Sequence, residues 1–542
     1  MSQSHPEQNA AGATRAAVDG GAGGAVVDLN AQNLPSIGAN GRGVQTPAFA
    51  LDARSVGVVH FGVGGFHRAH QALYLDRLMQ QGRALDWGIC GVGLMPHDAA
   101  MRDALTAQDG LYTLVEKSPD GTRAARVVGS VVEYLYAPDG PEAVLARLTD
   151  PGVRIVSLTV TEGGYNYNPR TGEFLAETPA VAADLAAEPG GEAPRTTFGY
   201  ITEALRRRRA AGTAPFTVMS CDNIQGNGHL AQKVFTAFAD LKDPELGAWV
   251  RENVRFPNSM VDRITPVTTD ADREAVAAEY GIGDRWPVVC EDFIQWVLED
   301  DFPTGRPPFE EVGVQVVDDV EPYELMKLRL LNATHQAMAY TGRLAGYRYA
   351  HEATQDPLFA EFFAAYMDRE ATPTLRPVPG IDLDAYKRQL LERFSNEQVR
   401  DTLARLCAES SDRIPTWLVP VIVHNLAAGG REQAGYDGAA TARGPVALSA
   451  AIVASWARYA EGVDEAGEPI EVVDRLKDRV MAAAAKQDED DLAFLRDPEL
   501  FGDLAEHEEF TRHYVAALRS FKTAGSRATL EVLRDSGWST LV

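Results

Sequence analysis

Val56-Gly-Val-Val-His-Phe61 is an apolar run that passes directly into Gly62-Val-Gly64-Gly65, and then into a helical pattern from Phe66 to about Gln81. A strand that is apolar on both faces must be covered on both, the condition of a parallel sheet flanked by helices. Glycines at the strand's end let backbone approach a pyrophosphate, and the helix N-terminus that follows supplies N–H donors. Gly62, Gly64, Gly65, Phe66, His67 and Arg68 are therefore candidate contacts to a dinucleotide, with Arg68 facing the pyrophosphate. The third glycine of G-x-G-x-x-G falls on His67, so the motif fits in part, and a plain tight turn suits the same residues.

Further strands repeat the placement of polar groups at a carboxyl end. Trp87-Gly-Ile-Cys-Gly-Val-Gly93 is followed by Asp98, where an acid holds an adenosine ribose and opposes a 2′-phosphate. The gap from the glycines is longer than the usual spacing of about 20 residues. Asp98 equally suits an N-cap for a helix from Ala99 to Leu105. Val127 to Tyr136 reads as a strand, as does Val153 to Val160, which runs into Thr161-Glu-Gly-Gly-Tyr165 and puts Glu162 at a ligand-binding edge. Phe216 to Ser220 ends in Cys221-Asp222-Asn223, where Asn223 is either a turn residue or a site group. Val261 to Pro266 reads as a polar turn.

Beyond about residue 320 the pattern becomes helical, with 3.6-residue periodicity over 357–369, 382–407, 445–463, 472–485 and 508–520. The expected architecture is α/β: a Rossmann-type N-terminal domain (46–318), then a mainly α-helical C-terminal domain (319–542), with the active site in the cleft between them. Residues 1–45, rich in Gly, Ala, Asn and Gln, read as a flexible tail.

At the join lies Glu321-Pro-Tyr-Glu-Leu-Met-Lys-Leu-Arg-Leu-Leu-Asn-Ala-Thr-His335. With Lys327 as zero, an α-helix puts Glu324 at about 60°, His335 at about 80° and Asn332 at about 140°. Acid, base, amide and imidazole thus share one face of an otherwise apolar helix. Such a face is either a solvated stripe or, if buried, a group that needs compensating partners.

The formal net charge of −26 opposes binding to nucleic acid or anionic membrane. Cys90, Cys221, Cys290 and Cys407 show no short spacing, so neither a disulfide framework nor a zinc knuckle is expected, and a reducing cytoplasm fits. No apolar run reaches the roughly 18 residues of a membrane span, and the start of the chain lacks the order of a signal peptide. His67-x-x-His70 has no accompanying ligand set, so phosphate contact or packing is expected there and no metal. A dinucleotide fold without a metal points to hydride transfer with NAD(H). Alcohol oxidation then needs a base, which a buried lysine supplies, and donors to the developing alkoxide, which asparagine amides supply.

Val59-His-Phe-Gly-Val-Gly-Gly-Phe-His-Arg-Ala-His70, Thr161-Glu-Gly-Gly-Tyr165, Ser220-Cys-Asp-Asn223 and Lys327-x-x-x-x-Asn332-x-x-His335 together resemble the polyol-specific long-chain dehydrogenases, in the family's order and from about residue 30 onward. The resemblance implies a metal-independent, NAD-dependent enzyme of two domains, often monomeric. It makes Lys327 the general base, Asn223 and Asn332 the pair holding the reacting oxygen, and His335 the residue that orients it. It makes Glu324 the link from the lysine to solvent, and Asp262 and Arg405 contacts to the polyol chain. Arg413 stands where the family usually carries lysine, a departure that bears on the distal hydroxyl contacts. The expected reaction is reversible oxidation of D-mannitol to D-fructose. D-arabinitol oxidation or hexuronate reduction are alternatives within the family, and a non-catalytic NAD-binding sensor is the alternative from another class.

Overall fold

The computed structural model describes residues 26–168, 172–188, 190–427 and 444–541. Val56–Phe61 is the central strand of a five-stranded, all-parallel sheet. The spatial order is Val131–Tyr136, Gly88–Gly93, Val56–Phe61, Ile155–Leu158, Thr217–Ser220. The chain therefore winds outward on one side of the central strand and returns to wind outward on the other. Such a reversal opens a crevice at the carboxyl ends of the two middle strands. The register aligns those ends: Phe61 pairs with Val92 on one side and Leu158 on the other. Val58, Val59, Ile89, Ile155 and Val156 are completely buried, as strands covered on both faces require.

Two three-stranded sheets complete the first domain. One joins Val288–Glu291, Tyr112–Lys117 and Arg123–Val128, the other Gln315–Val317, Gln295–Glu299 and Ser259–Asp262. The region from Val127 to Tyr136, expected as one strand, is thus split between two sheets. The break is fixed by Gly129 N–H donating to Asp76 (2.8 Å) and Ser130 Oγ donating to Ala72 O (2.6 Å). Ser259–Asp262 is a buried strand, where a polar turn was expected to begin.

The flexible tail expected over 1–45 needs correction where it is described. Val27–Asp28 pairs with Ile282–Gly283, and Leu29, Ile37 and Val44 are buried against Leu111, Val127 and Ile282. Scattered apolar residues in a Gly- and Asn-rich stretch lack periodicity, so only their tertiary partners reveal them as core. The first 25 residues lie outside the described ones.

The second domain is helical around Ala333–Leu344, which is buried on nearly every side by Ala447–Tyr459, Leu403–Cys407 and Pro357–Tyr366. The continuous helix expected over 382–407 is two, Leu383–Phe394 and Leu403–Cys407, separated by a loop in which Arg400 takes a positive φ of 54°. Among the described residues no helix is long and apolar enough to cross a membrane.

The run expected as one helix from Pro322 to His335 contains a π-turn, Lys327–Asn332, between the α-helices Glu321–Met326 and Ala333–Leu344. Ala333 N–H bonds to Leu328 O, an i→i−5 link. Wider turns bring residues five apart more nearly into line, so Asn332 sits closer to the Lys327 face than the α-helical angle predicts.

Candidate active site

Gly62 leaves the central strand with φ +91°, and a Cβ there would lie 2.1 Å from the carbonyl oxygen of Thr159 on the neighbouring strand. Only glycine fits. The two strand ends are tied by Thr159 Oγ1 donating to Gly62 O (2.6 Å) and by His60, whose Nε2 lies 2.9 Å from Thr159 Oγ1 and whose Nδ1 lies 2.8 Å from Ser157 Oγ. Burial pushes His60 down to about 3, so it is neutral. His67 stacks on it at 3.5 Å, and neither ring nitrogen of His67 has a hydrogen-bond partner among the described residues. Gly64, Gly65, Phe66 and His67 line the cleft. A Cβ on Gly65 would meet only Thr265, at 3.5 Å. A bare backbone surface over an open crevice fits a dinucleotide's phosphates.

Arg68 is elsewhere. It is wholly buried behind the loop, over the Tyr112 ring, and its guanidinium donates to Trp286 O and Gly64 O. It supports the turn and does not face the crevice, which corrects the expected pyrophosphate contact. His70 also turns away, its Nε2 2.9 Å from Gln295 O. Among the described residues no three His, Cys, Asp or Glu side chains are grouped to hold a metal.

Asp98 lies at the carboxyl end of the second strand, outside the main cleft lining. Its Oδ2 accepts from Leu94 N (2.9 Å) and Met95 N (2.8 Å), so it clamps the preceding turn, and the N-cap position belongs to His97. Glu162 is exposed on the cleft, next to Thr161, whose φ of +62° is costly for a β-branched residue. Asp222 holds that turn. It accepts from Thr161 N (2.8 Å), Val160 N (3.1 Å) and Tyr165 Oη (2.7 Å), and burial pushes it up to about 6. Sequence reasoning passed over Asp222, although it adjoins Asn223.

Lys327 enters this cleft from the second domain, 7% exposed. Its Nζ donates to Asn223 Oδ1 (2.5 Å) and Val261 O (2.6 Å). Burial lowers its pKa, opposed by Asp262 and Glu324 and assisted by Arg393. A neutral amine has two N–H groups, and both acceptors are in place, so its lone pair is left for the cleft. Asn223 has its amide oxygen taken by Lys327, which leaves its amide N–H groups as donors. Asn332 Nδ2 is buried without a partner among the described residues. Burial holds His335 neutral, down to about 3, with its ring 4.7 Å from that of Phe394. Lys327, Asn223, Asn332 and His335 thus line one cavity of about 460 Å³ with the glycine loop.

Glu324 lies behind the lysine, not in that cavity. It accepts from Gly226 N at 3.1 Å, and burial raises it to about 7. Glu324, Lys327 and Asn223 share a small void of about 20 Å³, room for a single water.

The far wall carries Asp262, Arg405 and Arg413. Asp262 is buried and held by Arg393 through two bonds of 2.8 and 3.0 Å. Arg405 pairs with Asp401 at 2.6 and 2.5 Å, and Arg413 donates to the carbonyls of Arg405 and Leu406 beneath the Trp417 ring. Arg393, Asp401 and Trp417 were missed. Asp401, four residues before Arg405, carried a readable signal; Arg393, in an amphipathic helix, carried none.

The family description Mannitol dehydrogenase Rossmann domain matches residues 56–311, and Mannitol dehydrogenase C-terminal domain matches residues 319–522. The mannitol 2-dehydrogenase of Neosartorya fischeri is 45% identical over 513 residues, 93% of this chain and 99% of the relative. That of Aspergillus fumigatus is 46% identical over the same span. The solved Pseudomonas fluorescens mannitol 2-dehydrogenase, a ternary complex with NAD and D-mannitol, is 44% identical with a TM-score of 0.83, covering 94% of this chain and all (100%) of its own. A substrate-free D-sorbitol dehydrogenase is 36% identical with a TM-score of 0.80, covering 93% of this chain and 100% of its own. The chain belongs to the mannitol dehydrogenase family.

Proposed function

We propose that the protein oxidises D-mannitol to D-fructose reversibly with NAD, using Lys327 as general base. The observation that carries this is the buried Lys327 amine, whose two N–H groups have acceptors in Asn223 and Val261 and whose lone pair remains for a substrate hydroxyl. The matched relatives named for mannitol, and the neighbour solved with NAD and D-mannitol, support the substrate and cofactor.

Gly62, Gly64, Gly65, Phe66, His67 and Glu162 would hold NAD along the crevice, and Asp98 its adenosine ribose. Bound NAD supplies the hydride acceptor. Lys327 Nζ takes the hydroxyl proton while the Nδ2 groups of Asn223 and Asn332 donate to the developing alkoxide oxygen. Neutral His335 orients that oxygen. Glu324 passes the proton outward through the void it shares with Lys327. Asp262, Arg405 and Arg413 bind the hydroxyls beyond the reacting carbon. The protein works in this reading as a single chain in a reducing cytoplasm, on a small polyol or ketose, without nucleic-acid or membrane partners; its four unpaired, buried cysteines suit that setting.

Initial rates over mannitol, sorbitol, arabinitol, fructose and fructuronate with both cofactors, read at the nicotinamide band, test the proposal. Mannitol oxidation with NAD and fructose reduction with NADH are expected to dominate. Sorbitol belongs in the panel because of the matched D-sorbitol dehydrogenase. Absence of turnover with every polyol and ketose would sink the reading.

A further inference from the structure

Arg393 is the penultimate residue of the helix Leu383–Phe394, in the helical domain, and its side chain is buried against two strands of the other domain. Its Nη1 and Nη2 donate to Asp262 at 2.8 and 3.0 Å. Its Nε and Nη2 donate to Glu291 at 2.9 and 2.7 Å. The Phe293 ring lies 3.9 Å from its Cζ. Asp262 ends Ser259–Asp262 and Glu291 ends Val288–Glu291, strands of different sheets. One guanidinium from the second domain therefore bolts two edges of the first.

The chain of contacts continues. Glu291 Oε1 accepts from Ile264 N (2.6 Å), and Glu291 O accepts from Arg263, which also donates to Ala69 O (2.7 Å) at the end of the helix after the glycine loop. Arg263 pairs in turn with Glu116 at 2.6 Å. Buried charges persist only when geometry compensates them, and a planar fork matched to two carboxylates is the strong form of that compensation. Arg393 itself does not line the cleft, whereas Asp262 does, beside Lys327 and His335.

We propose that Arg393 is a positioning residue: reaching from the helical domain, it clamps Asp262 and Glu291, so that docking of the two domains is what aims the Asp262 carboxylate along the cleft wall. The proposal rests on the polyol-oxidising reading above. Lysine has no such fork and cannot serve both carboxylates in that plane. The charged or titratable groups around the clamp are Asp262, Glu291, Arg263, Glu116, Lys327, His335 and Tyr386. Removing the Arg393 charge leaves Asp262 to act on Lys327 unopposed, which moves the base's titration to higher pH.

The test compares Arg393→Met, Arg393→Lys, Asp262→Asn and the Arg393→Met/Asp262→Asn double variant. Mannitol KM is expected to rise and kcat to fall in Arg393→Met, together by roughly tenfold to a hundredfold in kcat/KM, while NADH affinity stays within about twofold because the glycine loop is untouched. The rise of kcat/KM with pH should move to higher pH, Arg393→Lys should recover part of the loss, and the double variant should be no worse than the poorer single one. Additive effects, an unchanged pH profile, or equal losses in KM, NADH affinity and melting temperature would overturn the proposal in favour of a plain structural bond. Amide hydrogen exchange of segments 259–262 and 383–394 reads the clamp without turnover. Faster exchange in Arg393→Met alongside a wild-type protein that oxidises no polyol would reject the substrate reading and keep the clamp; unchanged exchange would reject the clamp. Should the methionine variant not fold, the lysine variant carries the same test at smaller amplitude.

Discussion

Lys327 Nζ donates to Asn223 Oδ1 at 2.5 Å, joining the first residue of the π-turn in the second domain to the loop after the edge strand of the first. The bond fixes which way the Asn223 amide faces, and so leaves its N–H groups available for the substrate oxygen of the proposed mechanism. Asn223→Asp keeps the shape and reverses both effects. A carboxylate against Nζ favours the ammonium form and offers the alkoxide no donor. The expected result is a fall in kcat of about 10²–10³, with the pH profile moved upward. A variant with normal kcat would remove Asn223 from the oxyanion site.

Lys327→Ala is expected to reduce turnover by several orders of magnitude while NADH binding, followed by nicotinamide fluorescence, is kept. The two hydrogen bonds of Nζ run to Asn223 and Val261, not to the glycine loop. Near-normal activity would mean that another group takes the proton.

Burial lowers the Lys327 pKa below the ordinary lysine value of about 10.4. In the proposed mechanism the neutral amine is the base for oxidation, so mannitol oxidation should rise with pH through that lowered value and level off above it. Fructose reduction needs the ammonium form and should fall through the same range. Glu324, raised to about 7 by burial, accepts from Gly226 N–H and lines the small void it shares with Lys327. Glu324→Gln cannot relay a proton. It should slow oxidation, show a larger solvent isotope effect, and leave mannitol KM nearly unchanged. Opposite slopes failing to appear in the two directions would argue against Lys327 as the titrating group.

The features readable in advance were those with a local cause. A both-sided apolar strand meeting glycines can be read because Gly62 needs its positive φ whatever the rest of the chain does. The spacing of Lys327, Asn332 and His335 put them on one helix, and one cavity wall carries all three. The π-turn was not readable, since 3.6-residue periodicity contains no signal for an i→i+5 bond, and this moved Asn332 off its expected angle. Long-range partnerships were hidden as well. Arg68 looked like a phosphate ligand because its neighbour in sequence is the loop, but its neighbour in space is Trp286. Arg393 carried no signal at all, because its two carboxylates lie 102 and 131 residues away.

Asp98 spends one oxygen on Leu94 N and Met95 N. Deleting the side chain would loosen that turn as well as remove the charge, so Asp98→Asn is the cleaner probe: its amide oxygen still accepts, and the charge opposing a 2′-phosphate is gone. Relative use of NADP over NAD is expected to rise by about tenfold, the size of a single lost like-charge contact of about 1.4 kcal/mol. The same cofactor preference in the variant would refute the ribose role.

Glu370 sits in a second π-turn, Met367–Ala371, which packs against the one carrying Lys327. It is wholly buried and accepts from Leu448 N (2.7 Å), Ser449 N (2.8 Å) and Ser449 Oγ at the start of the helix Ala447–Tyr459. Burial nevertheless raises it from its ordinary 4.5 to about 7, against those hydrogen bonds. The folded chain then binds more protons than the unfolded one between these two values, so stability from this group is greatest below the lower value and declines as pH rises toward the upper one. The decline amounts to about 3 kcal/mol at most. Glu370→Gln cannot ionise and lacks the decline. Melting temperatures of wild type and variant at pH 5 and pH 8 should therefore differ unequally, with wild type losing ground at pH 8; an equal difference at both would mean that Glu370 keeps one charge state throughout. Glu370→Ala, which leaves two buried N–H groups without an acceptor, should cost about 2–5 kcal/mol at either pH.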